Sequence, residues 1–146
     1  MRALVQRVSR ASVEVDGAVI GRIGQGLLVL VGIGTDDTEA DCDWLSRKMS
    51  KLRIFSDAEG KMNLDVSQVG GSILLVSQFT LMGNTSKGNR PSFIEAMDFE
   101  LAEVLFERVV EGVRDQGVPV QTGRYGADMQ VSLVNDGPVT ILLESP

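Results

Sequence analysis

Two short segments carry the residue types best suited to chemistry. Segment 77–81 (Ser-Gln-Phe-Thr-Leu) places hydroxyls and a side-chain amide at the end of an apolar run. Segment 135–138 (Asn-Asp-Gly-Pro) lies between two alternating apolar runs. Gly137 can adopt a positive φ or let a ligand approach the backbone, and the bond before Pro138 is of the one kind that is cis at appreciable frequency. Taken alone, the second segment is also typical of an ordinary hairpin turn.

The sequence contains no histidine, which limits the chemistry available. Ser-His-Asp and Cys-His arrangements and histidine-ligated metal sites are excluded. The single cysteine, Cys42, has no partner for an internal disulfide and no CxxC pair for a familiar zinc site, so we interpret it as a buried small hydrophobe. We therefore expect no metal and no cofactor. Catalysis must come from carboxylates, hydroxyls, amides, the main chain or the substrate itself.

Length and charge indicate one soluble domain spanning residues 1–146. The chain is 43% hydrophobic and carries a net charge of −6. That balance argues against DNA, non-specific nucleic-acid or membrane-surface binding, each of which needs a basic face, although a local basic patch stays compatible with it. No apolar run is long enough to span a membrane and no leader pattern is present, so we predict a cytoplasmic protein.

The elements that must position these segments follow from the apolar periodicity. Alternating runs at 3–8 and 13–15 predict two strands, the second ending at an Asp-Gly hairpin signal. The continuous run 27–31 predicts a central strand covered on both faces, and a helix should follow with its N-cap at Thr35, Asp36 or Thr38. A strand at 52–55, a turn-rich polar stretch at 56–71 and a strong strand at 72–79 come next.

The second half predicts the longest helix and a terminal hairpin. The helix should follow residues 90–92 and end near Gln116, with one apolar stripe; the residues of that stripe are Phe93, Met97, Leu101, Val104, Leu105 and Val109. Its acidic residues indicate a solvated face. Alternating runs at 129–134 and 139–143 predict two hairpin arms that turn at 135–138. The fold class is therefore α/β, with mostly antiparallel or mixed sheets and two main helices in a compact single domain.

Four segments in this order resemble the D-aminoacyl-tRNA deacylase (D-tyrosyl-tRNA deacylase) family. They are 1–8 (MRALVQRV), 77–81 (SQFTL), 87–93 (KGNRPSF) and 135–138 (NDGP), and the resemblance spans essentially the whole chain. It implies a compact homodimer that hydrolyses the ester joining a D-amino acid to the 3′-terminal adenosine of tRNA. Glycyl-tRNA should also be a substrate, since glycine lacks the side chain by which handedness is judged.

The resemblance places the reaction centre at segment 77–80. Gln78 and the backbone N–H of Phe79 become the candidates to hold the ester carbonyl, with the 2′-OH of the terminal ribose as helper. An aminoacyl ester is already activated, so the absence of histidine is compatible with this chemistry. Thr80 could be a nucleophile, a positioning group or a strand-end threonine satisfied by the backbone, and a nucleophile would need a base that the sequence does not offer. Ser77 is the weakest candidate.

The resemblance also assigns the choice of the D configuration to segment 135–138. It implies a cis Gly137-Pro138 bond that enters the pocket of the partner subunit, where main-chain oxygens leave no room for an L side chain and bind the substrate amino group. L substrates would thus be rejected by clash rather than by affinity. Arg7 resembles the residue that supports this turn, or is a plain surface arginine. Asn135 should hold the turn through its side-chain amide.

The loop residues Lys87 and Arg90 are candidates to meet the terminal phosphates of tRNA, or are simply solvated. Because the protein is acidic, contact should be confined to the aminoacyl end of tRNA. Two other functions stay open. A Thr- or Ser-dependent small-ester hydrolase would act on an ester without ribose, and a non-enzymatic nucleotide-binding dimer would bind adenosine without turnover. The glycines at 32 and 34 are weak support for the latter, because they do not complete a GxGxxG or P-loop pattern.

Overall fold

The computed structural model describes all 146 residues as eight strands, two α-helices and one short 3-10 helix. In the first half these are β1 (Arg2–Val15), β2 (Ala18–Ile23), β3 (Gly26–Gly32), α1 (Glu39–Lys51), β4 (Phe55–Ser56) and β5 (Met62–Leu64). In the second half they are β6 (Ser72–Ser77), the 3-10 helix (Phe79–Met82), α2 (Phe99–Asp115), β7 (Val120–Thr122) and β8 (Gln130–Glu144). The predicted fold class is confirmed.

Strand β1 organises the sheet, because both of its edges are paired. One edge pairs antiparallel with β8 over residues 2–14. The other pairs antiparallel with β3 over residues 2–8 and then with β2 over residues 11–15. Beyond β3 the sheet continues with β6 and β7 in parallel, so the sheet is mixed. The parallel strands β3 and β6 both end beside the segment that follows residue 77.

The central strands are buried on both faces, as the continuous apolar run at 27–31 predicted. Leu27 and Val29 face the core beneath the two helices, whereas Leu28 faces a second cluster formed with the far half of β1. All three are at most 1% exposed. Burying such a side chain contributes roughly 1.5–3 kcal/mol, so the two cores together make the sheet a rigid support for the segments at its ends.

Helix α1 begins where the sequence predicted. Thr38 is its N-cap, and the side chain of Asp41 accepts a 2.8 Å hydrogen bond from the Thr38 N–H, which completes a capping box. Helix α2 packs against α1, and Arg108 of α2 donates two 3.0 Å hydrogen bonds to the Asp43 carboxylate. This bidentate pair fixes the two helices relative to each other on one face of the sheet. Neither α-helix is both long and apolar enough to cross a membrane.

The predicted start of the long helix is wrong, and its predicted apolar stripe is right only in part. Helix α2 begins at Phe99, because the Asp98 side chain caps it by accepting from the N–H groups of Glu100 and Leu101. Of the predicted stripe, Val109 is buried and Leu105 packs against the core, whereas Leu101 and Val104 are 63% and 68% exposed. The buried face consists of Ala102, Phe106, Val109, Val110 and Val113. Phe93 and Met97 lie before the helix, and the end of the helix near Gln116 is as predicted.

The predicted terminal hairpin is also wrong. Both of its arms belong to the single long strand β8, and both pair with β1 instead of with each other. Likewise, the two strands predicted at 3–8 and 13–15 form the one strand β1. The predicted strand at 52–55 is reduced to Phe55–Ser56, and β5 and β7 were not predicted. Local alternation identifies a strand but does not reveal its partner, and here the partner is more than a hundred residues away.

Candidate active site

The segment that follows β6 turns sharply into the 3-10 helix. The Gln78 N–H donates a 2.7 Å hydrogen bond to the Val31 carbonyl, which holds the turn against the end of β3. Gln78 is the N-cap, and Phe79 and Thr80 form the first positions of the helix. N–H groups at these positions have no acceptor inside the helix. The turn therefore offers main-chain donors to a ligand, as the sequence analysis required of Phe79.

The side chains of this turn form one internal contact. The amide nitrogen of Gln78 donates to the hydroxyl oxygen of Thr80. An amide NH₂ is a donor only, so it cannot take the hydroxyl proton, and no carboxylate or amine bonds this hydroxyl. Thr80 is exposed and Ser77 is half-buried. The arrangement thus lacks the adjacent base that a threonine nucleophile needs.

A largely apolar cavity of about 480 Å³ opens beside this turn. Ser77, Gln78 and Phe79 contribute to its lining, and Thr80 does not. The remaining lining residues are Val31, Ile33, Val76, Ala96, Met97, Phe99, Ala102, Tyr125, Gly126, Ala127, Asp128, Met129 and Val131. Its volume lies in the range of small-molecule sites, and its lining suits a flat apolar ring.

Aromatic side chains shape the rim of the cavity. Phe79 is 59% exposed and meets Phe93 edge to face, with ring centroids 5.1 Å apart. Phe99 packs against Tyr125 at 4.9 Å, and the Tyr125 hydroxyl donates a 3.0 Å hydrogen bond to the Phe99 carbonyl. Burial is the main cause, and the nearby charge of Glu103 the second, of a raised pKa for Tyr125, whose phenol is protonated at neutral pH and acts as that donor. An exposed ring such as Phe79 is free to stack on a planar ligand.

Sequence analysis missed the lining contributed by Phe99 and by residues 125–129. These residues lie far along the chain from residue 78 and carry no motif. The aromatic pair of Phe99 and Tyr125, separated by 26 residues in sequence, gave no local signal. Their role becomes visible only when α2 and the following loop pack beside β6.

Segment 136–139 is a large bulge in strand β8. Gln6 pairs with Thr140 and Val8 with Asn135, so four residues of β8 stand opposite the single residue Arg7. Gly137 has a φ of +128° and the Gly137-Pro138 bond is cis. Both residues are exposed. The bulge therefore projects main-chain groups outward from the β1–β8 ladder, whose register shifts once more between Val8 and Arg10.

Arg7 and Asn135 hold the bulge in place. The Arg7 Nε donates a 3.1 Å hydrogen bond to the Asp136 carbonyl, and its Nη1 donates a 2.7 Å bond to the Ile54 carbonyl. The Asn135 side-chain oxygen accepts from the Val139 N–H at 3.1 Å, and its amide nitrogen donates to the Thr140 hydroxyl at 2.9 Å. Arg7 is thus not a plain surface arginine, and the bulge is fixed at both ends.

The turn at Gln78 and the bulge at Gly137 do not meet within the chain. Arg2, at the start of β1, donates a 2.9 Å hydrogen bond to the Leu81 carbonyl in the 3-10 helix. Arg7, five residues further along the same strand, holds the bulge. At ~3.3 Å per residue, those anchors lie about 17 Å apart. Accordingly, no residue of the bulge lines the cavity beside Gln78.

Lys87 and Arg90 lie in an exposed loop that is closed by pairing between Asn84 and Ser92. Neither side chain forms an ion pair, so both charges face solvent. The loop leads directly into Phe93, the ring that packs on Phe79. No group of three histidine, cysteine or acidic side chains is arranged to hold a metal ion.

Comparison with solved structures places this fold beside two others. A chain described as the c-Myc DNA unwinding element binding protein is 46% identical, with a TM-score of 0.95 over 100% of this chain and 99% of that chain. A probable eukaryotic D-amino acid tRNA deacylase has a TM-score of 0.82 at 19% identity, over 97% of each chain. The second likeness concerns the fold alone.

Sequence comparison gives closer relatives. The D-aminoacyl-tRNA deacylase of Chlorobaculum parvum is 58% identical over 100% of this chain and 99% of its own length. That of Anaeromyxobacter dehalogenans is 59% identical over 99% of this chain and 97% of its own length. The sequence model of the D-Tyr-tRNA(Tyr) deacylase family matches residues 4–144. The resemblance inferred from four short segments is confirmed: the chain belongs to the D-Tyr-tRNA(Tyr) deacylase family.

Proposed function

We propose that the protein removes D-amino acids from tRNA by hydrolysing their ester to the 3′-terminal adenosine. Family membership makes it an aminoacyl-tRNA deacylase, a hydrolase. The observation that carries the finer proposal is the turn at Gln78, whose main-chain donors stand at the mouth of an apolar cavity. Its substrate is charged tRNA, so we expect it to act in the cytoplasm.

The ester carbonyl would be held at the start of the 3-10 helix. The Phe79 N–H and the Gln78 side-chain amide can both point at an oxygen that gains negative charge during water attack. Removing one such donor typically costs ~2.7–4 kcal/mol of transition-state stabilisation. The cavity beside the donors would take the terminal adenosine, with Phe79 as a stacking surface.

No side chain need act as a strong base in this mechanism. An aminoacyl ester is activated, and the neighbouring ribose 2′-OH can assist proton transfer at the leaving 3′-oxygen. The Thr80 hydroxyl, bonded only by the Gln78 amide, fits a positioning role for that amide. Ser77 closes the cavity wall at the end of β6. Catalysis would then be shared between main-chain donors and the substrate.

The Gly137-Pro138 bulge would act as the stereochemical filter in a second copy of the chain. Within one chain the turn and the bulge are held by Arg2 and Arg7, whose Cα positions lie about 17 Å apart along β1, and no bulge residue lines the cavity beside the turn. A homodimer that brings the partner's bulge over the cavity would supply the missing wall. Its exposed main-chain oxygens would bind the substrate amino group and clash with an L side chain. Glycine has no side chain to exclude, so glycyl-tRNA should be hydrolysed as well.

The function is tested by hydrolysis of matched D- and L-aminoacyl-tRNA by the purified protein. Rapid release of the D-amino acid, release of glycine and refusal of the L-amino acid are expected. Hydrolysis of a simple D-amino-acid ester without ribose, at a comparable rate, would favour the small-ester hydrolase. Adenosine binding without turnover would favour the nucleotide-binding dimer.

DNA binding is a second candidate function, because the 46% identical chain is described as a DNA unwinding element binding protein. The net charge of −6 disfavours it here, because duplex binding relies on phosphate neutralisation by a basic face. Titration of labelled single- and double-stranded DNA at physiological salt tests it. DNA binding that is tighter than tRNA binding would favour this function over the deacylase.

A further inference from the structure

A surface groove of about 480 Å³ lies on the outer face of the β2-β1-β8 ladder, outside the site described above. Arg10 and Arg22 line it together with the hydroxyls of Ser12 and Ser132. Its other lining residues are Ala11, Ile23, Leu133 and Val134. We propose that this groove binds backbone phosphates of the tRNA whose aminoacyl end is being hydrolysed; this inference rests on the proposed function.

The strand register places the polar groups of the groove in one row. Ser12 stands directly opposite Arg22 on β2 and opposite Ser132 on β8. Arg10 lies two residues from Ser12 on the same strand, so it shares that face and is the diagonal neighbour of Arg22, ~7–8 Å away. These two guanidinium groups and two hydroxyls supply hydrogen-bond donors and positive charge, and none of the four carries a negative charge. Such a set of groups suits a phosphodiester.

The charges in the groove are not neutralised by the protein. Neither Arg10 nor Arg22 forms an ion pair, although the chain has 20 acidic residues against 14 basic ones. Glu14 is the one acid on this stretch of the face, and it lies beyond Ser12 at the end away from Arg10. Asp136, in the neighbouring bulge, is already engaged by Arg7. The groove is therefore a local basic surface on an acidic protein.

The groove adjoins the bulge that is proposed to read the amino acid. Arg10 pairs with Val134, and the next residue of β8, Asn135, immediately precedes the bulge. A tRNA whose aminoacyl group contacts Gly137 would therefore have its terminal phosphates within reach of Arg10. Because the bulge would act on the site of the other protomer, the groove of one chain would hold the tRNA whose ester lies at the partner subunit's Gln78.

The test compares Arg10→Gln/Arg22→Gln with Arg47→Gln/Lys51→Gln, which removes two exposed positive charges from helix α1. The first measurement is the dissociation constant of deacylated tRNA as a function of salt, which does not depend on turnover. If each arginine neutralises one phosphate of a single strand, the groove variant should bind roughly 25-fold more weakly at 0.1 M salt and lose ~1.4 from the salt slope. The helix variant should match the wild type, and thermal melts should show both variants folded.

The second measurement is kcat/KM for D-aminoacyl-tRNA and for D-aminoacyl-adenosine, which has no phosphate. The groove variant should lose activity on the tRNA through KM and keep its activity on the adenosine ester. An unchanged tRNA affinity and salt slope, or an equal loss on both substrates, would overturn the assignment. If the wild type binds tRNA with the expected salt slope but hydrolyses neither substrate, the proposed function is refuted, whereas the assignment of the groove to phosphate binding is not.

Discussion

Replacing Gly137 with alanine should disable the enzyme while leaving it folded. At a φ of +128°, an L side chain is strained, which costs on the order of 1–3 kcal/mol. The added Cβ would also stand 2.9 Å from Val139 Cγ2 and 3.1 Å from Arg7 Nη2. Carbon atoms normally approach to ~3.5 Å, so the bulge or the Val139 side chain must move by about half an ångström, and the Arg7 guanidinium by a few tenths of an ångström.

The fold should survive this change. A domain of ordinary stability has ~5–15 kcal/mol to lose, and ~2 kcal/mol corresponds to a fall of roughly 4–8 °C in Tm. Activity should be lost, because displacing a fitted group in an active site by about 1 Å can lower the rate ~100-fold. We therefore expect at least that loss on D-aminoacyl-tRNA, together with a smaller ratio of D to L hydrolysis.

Gly60→Ala is the matched control for backbone strain. Gly60 also has a positive φ, +78°, but its Cβ would meet nothing within 4 Å and it lies in a turn remote from both segments. The Gly60→Ala variant should lower Tm about as much as Gly137→Ala does and should leave the hydrolysis of D-aminoacyl-tRNA intact. The assay is single-turnover hydrolysis of D- and L-aminoacyl-tRNA beside a thermal melt of each variant. Near-normal D activity with L substrates still refused in Gly137→Ala would refute the assignment of the filter to the bulge.

Four further outcomes are expected. Sedimentation should show a homodimer, and mixing inactive Gln78→Ala and Gly137→Ala proteins should restore activity through composite sites; a fully active monomer would contradict this. Thr80→Ala should slow single-turnover deacylation without abolishing it, whereas a trapped acyl-enzyme on the wild type would identify a nucleophile. Arg7→Ala should release the bulge, so the ratio of D to L hydrolysis should fall markedly while Tm changes little. An unchanged ratio would count against the idea that Arg7 supports the bulge. Burial raises the pKa of the Cys42 thiol from 9.0 to about 11, so between those values the unfolded chain loses the proton first. In urea titrations stability should fall as pH rises above 9, and more steeply in the wild type than in Cys42→Ala, where the raised pKa of Tyr125 still contributes.

Local signals in the sequence were sufficient for some of the fold. Thr38 was correctly among the candidate N-caps, because a capping box is written in neighbouring residues. The buried run 27–31 was equally clear. The start of α2 was missed because Phe93 and Met97 continue the helical spacing of apolar residues. In the structure Asp98 caps a helix that begins at Phe99, and Met97 lines the cavity instead.

The candidate site could also be predicted only in part from the sequence. Segments 77–80 and 135–138 were proposed from their residue types, and the hydrogen bonds of Arg7 and Asn135 to the bulge are observed, whereas the catalytic and binding roles of these residues stay predictions. The cavity wall around Tyr125 could not be predicted, since it arises from packing between distant elements. The apparent hairpin was wrong for a similar reason: an Asx-Gly-Pro segment has the same composition whether it closes a hairpin or forms a bulge opposite one residue of a distant strand.

The pairing of β1 with β8 also determines when the molecule can become functional during its synthesis. Residues 2–14 emerge from the ribosome well before residues 130–144, with which one whole edge of their strand pairs. Contacts so distant in sequence form slowly, and until then the unpaired edge is open to other chains. The bulge at Gly137 exists only opposite a paired Arg7, so a nascent chain can hold a formed turn at Gln78 and still lack the bulge that we propose as the stereochemical filter. Selectivity would thus be the last property the protein acquires.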